Sequence, residues 1–374
     1  MRDMKKTARL PTYILWSGLA FATILLLSIL FIQANPKKTV VIGFDAPLSV
    51  RAAFDPSEQD AAIFYLEENP NSLLKPQPFF YEFDPKQARG LFLEAKAQSI
   101  PFFITTQPSS LAVASIDVFS DDSILNINTS ATSPAISGID DYILRTTPDV
   151  IAEQTAIANH LLNQSERRLL VLQDSQNAGY TDPAWEVFSA QFQAADDWEI
   201  THERFSFVDV SAADHQRVVN RPHEAVYILA GDFQTSIGLL AQLFHTQNPE
   251  APIYLTPWAT SGAIIERIGP AGQQVIVFTQ SVSEADHVAL QQFNERFIKR
   301  FGYQPNGMAP RITVALEMLE EAVKNGHTTP ASAKRYLLNR GAIKTSLGTL
   351  SFDQYGDLKD AKFNARPLSA VDFE

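Results

Sequence analysis

From Thr39 onward the chain alternates short apolar runs with stretches of helical periodicity, in two successive series. Runs at 40–44, 79–83, 101–104 and 124–127 are long enough for a buried strand and too short for a helix. Between them, Asp55-Pro56 and Asp84-Pro85 each pair an N-cap residue with a proline at the first helical position. Ala62, Ile63 and Leu66 follow the first of these at helical spacing, and a helix opened by Pro108 carries Leu111, Val113, Ile116 and Phe119. A helical stretch at 150–162 leads into the second series, with strands at 169–172, 199–207, 225–229, 253–255 and 275–278. Its helices are expected from about Pro183, at 211–219 and at 233–245. Helices at about 286–300, 309–324 and 330–339 follow, with short extended pieces near 348–352 and 361–367. Such alternation implies an α/β fold of two parallel sheets flanked by helices. Right-handed crossovers make each a Rossmann-like lobe, and two lobes leave a cleft between their strand ends.

The 374 residues suffice for two such lobes and an appendage. That appendage is an uninterrupted apolar run at 13–32, preceded by Arg2, Lys5, Lys6 and Arg9. About 20 apolar residues cross a bilayer as a helix, and basic residues ahead of them stay cytoplasmic. The expectation is a cytoplasmic segment at 1–12 and a transmembrane anchor or uncleaved signal at 13–32, because Ile32-Gln33-Ala34 is a poor small-x-small cleavage site. The body would then be periplasmic or otherwise extracytoplasmic, held at the inner membrane. Formal net charge is −12, and setting aside the +3 of the first 34 residues leaves −15 for the rest. So acidic a body repels nucleic acid, which is not expected as a partner. There is no cysteine, so disulfides, thiolate metal ligands, a cysteine nucleophile and a cysteine-acylated N-terminus are excluded.

Signatures of catalysis are missing. No Gly-x-Gly-x-x-Gly follows a strand, no Gly-x-x-x-x-Gly-Lys loop could cradle phosphates, and no Gly-x-Ser-x-Gly elbow is present. The seven histidines never take the i, i+4 spacing of a zincin-type metal site. Asp121-Asp122, Asp140-Asp141 and Asp196-Asp197 read as solvated loops, since paired carboxylates need burial to separate their pKa values. No enzyme activity, cofactor or metal is expected.

What remains points to binding. Asn128-Thr129-Ser130-Ala131-Thr132-Ser133-Pro134 follows a buried strand with small hydroxyl residues only. Open parallel sheets bind ligands at that end of their strands. Ser130 and Thr132 are the candidates there, against a plain Ser/Thr-rich turn. Ser109, in Gln107-Pro108-Ser109-Ser110, lies at a helix start suited to a carboxylate, or serves simply as an N-cap. In the second series Asp232 could hold a ligand ammonium or cap the next helix. Tyr180 could lie over the cleft or on the surface. Trp258 could cover an apolar ligand part or stack on a cation, or merely fill space between the lobes.

Ser109, the run at 128–134, Leu144-Arg145-Thr146-Thr147-Pro148, Glu153-Gln154 and the closing Leu347-Gly348-Thr349-Leu350-Ser351-Phe352-Asp353 with Gly356-Asp357 together resemble type I periplasmic binding proteins. The branch they are most similar to is the leucine/isoleucine/valine-binding group of branched-chain amino-acid ABC transport. That resemblance implies two Rossmann-like lobes joined by a three-stranded hinge and closing on a ligand. Lobe 1 would comprise 39–148 with 283–360, and lobe 2 149–282 with 361–374. By position, Ser109, Thr132 and the Ser130 backbone would hold an amino acid's carboxylate and ammonium, with Tyr180, Asp232 and Trp258 on the second lobe. Three features depart from the pattern: Trp258 stands where an acidic residue is usual, Gly179-Tyr180 reverses the usual order, and Asn69-Pro70-Asn71-Ser72 replaces a Gly-rich segment. They leave a small zwitterion, amide or carboxylate as ligand. The expected role is solute capture for an ABC importer with a permease partner; the alternative is a membrane-tethered sensor signalling to another protein.

Overall fold

The first series folds as β1 (Val40–Pro47), α1 (Ser57–Glu68), β2 (Leu74–Tyr81), α2 (Pro85–Ala97), β3 (Phe102–Thr105), α3 (Ser109–Val113), β4 (Leu125–Asn128) and β5 (Ile143–Arg145). The structure is a computed structural model that describes residues 39–47, 56–82, 84–208, 210–219, 222–231, 236–259 and 262–370. These strands form a sheet in the order β2-β1-β3-β4-β5, with β1, β3, β4 and β5 mutually parallel. β3 and β4 are buried at every position, as central strands covered on both faces must be. β2 begins five residues earlier than the apolar run at 79–83 suggests, and takes in Pro76 and Pro78. It can do so because it is an edge strand, where a missing N–H breaks no ladder.

α2 starts as its sequence indicates, with Asp84 accepting from the N–H of Lys86 and Gln87 and Pro85 behind it. The other expected cap, Asp55, lies outside the described residues. The helix expected through Phe119 is divided instead. α3 ends at Val113 and a 3-10 turn spans Ile116–Phe119. Ser115 sits at the break, its hydroxyl donating to the Leu111 carbonyl. Short polar side chains of this kind compete for helix backbone groups.

The second series is α4 (Val150–Leu162), β6 (Arg168–Asp174), α5 (Ala178–Ala190), β7 (Glu199–Phe205), α6 (Ala212–Val219), β8 (Ala225–Leu229), α7 (Ser236–Gln247), β9 (Ile253–Leu255), α8 (Gly262–Ile268) and β10 (Val275–Gln280). β7, β6, β8, β9 and β10 lie side by side in that order, all parallel. Alternate residues serve opposite faces: Leu170, Leu172, Val226 and Ile228 enter one apolar cluster, and Leu169, Val171, Ala225 and Tyr227 the other. α5 begins five residues ahead of the expected Pro183, because Asn177 O accepts from the N–H of both Tyr180 and Thr181. Pro183 is accommodated one turn in.

After β10 the chain forms α9 (Glu284–Phe301), α10 (Met308–Lys324), α11 (Pro330–Asn339), the hairpin β11 (Ala342–Thr345) and β12 (Gly348–Ser351), and β13 (Phe363–Pro367). α10 packs on α1, β2 and β3, and Phe64 of α1 meets Phe293 and Phe297 of α9 edge-on at 5.7 Å, so this stretch returns to the first sheet. β13 then rejoins the second sheet antiparallel to β10. The chain therefore passes between the sheets three times, all within one compact unit, Val41–Glu374. Among the described residues no helix is long and apolar enough to cross a membrane; the run at 13–32 lies outside them.

Candidate ligand-binding site

The loop after β4 is shaped by its own side chains. Asn128 Oδ1 accepts from the N–H of Ser130 at 3.0 Å and of Ala131 at 2.7 Å, turning the chain sharply at the strand end. Ser109 Oγ, from the start of α3, then accepts from the N–H of Thr132 at 3.0 Å and of Ser133 at 3.2 Å. Ser109 makes no capping bond to its own helix. Its hydroxyl instead joins two loops, and its O–H proton remains directed by whatever accepts it. Ser109 and Thr132 are buried and Ser130 is half-buried. The structure thus brings these three expected residues together at the carboxyl ends of β3 and β4.

Arg145 supports the loop from beneath. It is buried, with Nη1 donating to the Ser133 carbonyl at 3.1 Å, Nη2 to the Ser137 hydroxyl, and Nε to Asp357 Oδ1 at 2.8 Å. Asp357 also accepts from Gly138 N–H at 2.7 Å. The preceding Gly356 has φ +102, and a Cβ there would lie 2.9 Å from Ile143 O. Only glycine lets the C-terminal turn lie so close to β5. The two motifs at 144–148 and 347–357 are therefore one construction: an arginine brace and its carboxylate anchor.

Across from α3 stands the start of α5. Ser110 N–H donates to Asn177 Oδ1 at 3.1 Å, and Gly179 N–H to Ser110 Oγ at 2.8 Å. A Cβ on Gly179 would lie 2.7 Å from Ser110 N and 2.9 Å from Ser109 C. Here lies the physical meaning of Gly179 preceding Tyr180: the smallest residue faces α3 and the tyrosine turns inward. Tyr180 is buried in the second sheet's apolar cluster, its hydroxyl 2.6 Å from Glu153 Oε1. The earlier start of α5 causes this, placing on a first turn a residue expected in a loop.

Trp258 follows β9 and is half-buried. Its Nε1 donates to Glu153 Oε2 at 2.8 Å, and the guanidinium of Arg311 lies over the ring, 4.4 Å from its centroid. Arg311 comes from α10, and its Nη1 is 3.4 Å from Thr129 O beside the hydroxyl loop. Trp258 thus lies between the two sheets' elements and is held from both. Asp232 lies outside the described residues.

Glu153, not singled out as a site residue in the sequence, is the centre of this side. It also accepts from Gln154 Nε2 at 2.7 Å, while Gln154 Oε1 accepts from the Tyr227 hydroxyl at 2.9 Å. Burial pushes its carboxyl up to about 7, against the pull of its donors Tyr180, Trp258 and Gln154 and the positive charge of Arg311. A signal for it was present: α4 buries Val150, Glu153, Gln154, Ile157, Ala158 and Leu161, so both polar residues fall on the apolar stripe. Arg311 had no such signal. Among the described residues no cluster of His, Asp and Glu is disposed to hold a metal ion.

A family model described as periplasmic binding protein matches residues 81–360. The chain is similar to the Leu/Ile/Val-binding protein homolog 3 of Brucella melitensis, 24% identical over 294 residues, covering 75% of this chain and 76% of that protein. In fold it is similar to the branched-chain amino-acid transporter substrate-binding protein of Streptococcus pneumoniae in complex with isoleucine, with a TM-score of 0.73 at 15% identity over 88% of this chain and 100% of that one. It is equally similar to a solute-binding protein of an ABC transporter from Rhodopseudomonas palustris in complex with benzoate, with a TM-score of 0.73 at 17% identity over 89% of this chain and 94% of that one.

Proposed function

The chain belongs to the periplasmic binding protein family, and from that premise we propose that it captures a small carboxylate-bearing organic solute between its two sheets and delivers it to an ABC importer. The observation that carries the reading is the junction of Ser109 Oγ with the backbone of Thr132 and Ser133, facing the start of α5. It gathers hydroxyls and strand-end backbone at one point, the place where open α/β sheets receive ligands. The named relatives support the chemical class, since an amino acid and an aromatic acid are bound in the two solved structures. Lobes comprising 39–148 with 283–360 and 149–282 with 361–374 would close on the solute about the three passages between the sheets.

We further propose that the body is tethered outside the cytoplasm close to its permease, a reading that the apolar run at 13–32 supports. The sensor reading has no observation of its own in favour.

A thermal-shift screen of amino acids, amides and carboxylates tests the binding claim, because a solute that binds only the folded chain raises its melting temperature by mass action. At least one such solute is expected to raise it, with Thr132→Ala abolishing the rise. A screen without any shift would sink the reading; a shift untouched by Thr132→Ala would move the site elsewhere.

A further inference from the structure

The short helix α3 and the longer α5 start against each other, one from the first series of elements and one from the second. A helix leaves its first N–H groups without partners of its own, and the side chain of the residue before it often supplies an acceptor. α3 is preceded by Pro108, whose side chain carries no acceptor. α5 is preceded by Asn177, a residue type well suited to the task, yet its side chain makes no capping bond to its own helix. The two helices instead exchange caps. Asn177 Oδ1 accepts from Ser110 N–H at 3.1 Å, and Ser110 Oγ accepts from Gly179 N–H at 2.8 Å. Each donor is the second residue of its helix, a position that an ordinary cap serves. Parting the two helix starts breaks both bonds at once.

We propose that Ser110 and Asn177 are positioning residues for solute binding: by capping each other's helices they hold the closed form and lengthen the solute's stay. The inference rests on the solute-binding reading above and adds to it what keeps the cleft shut. The two bonds can be removed one at a time. Ser110→Ala deletes the hydroxyl that Gly179 N–H uses and retains the N–H that Asn177 accepts. Asn177→Ala deletes the side-chain acceptor and retains the main-chain oxygen to which Tyr180 and Thr181 donate.

Rates decide it. Stopped-flow measurements with L-isoleucine and benzoate or, failing both, the solute giving the largest shift in the thermal screen would compare the natural chain with both single variants. Solute enters the open form before the caps meet, so association rates should stay the same. Dissociation should speed up about threefold to tenfold in each single variant, the range expected for losing a helix cap. Asn177→Asp keeps an acceptor for Ser110 N–H and should restore slow dissociation. Without solute the melting temperature of each variant should match that of the natural chain, because the open form lacks both caps. A purely structural contact gives the reverse, a lower melting temperature without solute and unchanged dissociation. Unchanged dissociation in both single variants, or a melting temperature lowered without solute, would overturn the inference while leaving solute binding intact. Failure of every solute to bind the natural chain would overturn the binding reading and the inference with it.

Discussion

A carboxyl enclosed by Tyr180, Trp258 and Gln154 is a charge that the fold tolerates only partly. The pKa of Glu153, about 7, lies above its ordinary value of 4.5, so the folded chain holds this proton more tightly than the unfolded one. The stability it contributes is full below about pH 4.5 and declines as pH rises towards 7, by up to about 1.4 kcal/mol per pH unit. Glu153→Gln removes the titration while keeping an acceptor for either the tyrosine or the indole, and the bond it loses shifts its melting temperature by an offset independent of pH. Its melting temperature relative to the natural chain should therefore rise between pH 5 and pH 8 in calorimetric scans; a difference constant with pH would show that the group ionises freely. Asp45, buried at the end of β1 and raised to about 7 by desolvation, acts in the same direction and forms part of the background both proteins share. The Arg145–Asp357 pair is the opposite case, a charge fully partnered. Asp357→Ala strands a buried guanidinium and should cost about 3–5 kcal/mol in denaturant unfolding. That Ser130 and Thr132 lie at a strand end was legible because the hydroxyl loop is continuous and follows a strand, and that Ser109 opens a helix was legible from Pro108 before it. Glu153 left a signal on the apolar stripe of α4 and Arg311 left none, and their meeting with Trp258 joins segments that only the folded chain brings together.

At the scale of elements, the abutting starts of α3 and α5 are the most exacting contact. The atoms that a Gly179 Cβ would meet are main-chain atoms of Ser109 and Ser110, which cannot swing away as a side chain could. Gly179→Ala should force the two helix starts apart, lower solute affinity at least tenfold and leave the melting temperature of the ligand-free protein within a few degrees. If affinity holds, closing does not need this contact. Strand and helix identities were largely readable from period and caps, as at Asp84-Pro85, because those signals are local. The exceptions have local causes that compete with the pattern: Ser115 divides a helix, and Asn177 starts one ahead of Pro183. β5, three residues long, is too short to show a period at all.

For the whole molecule, alternation of strand and helix led to two parallel sheets. The return of α9, α10 and α11 to the first sheet was not written in any local pattern, because it depends on which apolar faces remain open after the sheets form. A solute at 100 times its dissociation constant should stabilise the native chain by about 2.7 kcal/mol, provided the unfolded chain does not bind it. Membrane fractionation of cells carrying the full chain, with and without residues 13–32, tests the tether. The full chain should sediment with membranes through alkaline washing and the shortened one should not; full release of both would remove the anchor from the proposal.

The position of Trp258 also has an optical consequence. Trp185 stacks on His202 at 3.8 Å and Trp198 lies near Arg167, both within the second series. Trp258 instead has a titrating carboxylate at its nitrogen and, over its ring, a guanidinium carried by an element of the other sheet. Its excited state is exposed to two charges that change when the sheets part or when Glu153 ionises. The difference in emission between the natural chain and Trp258→Phe is therefore an internal gauge of closure, requiring no attached dye.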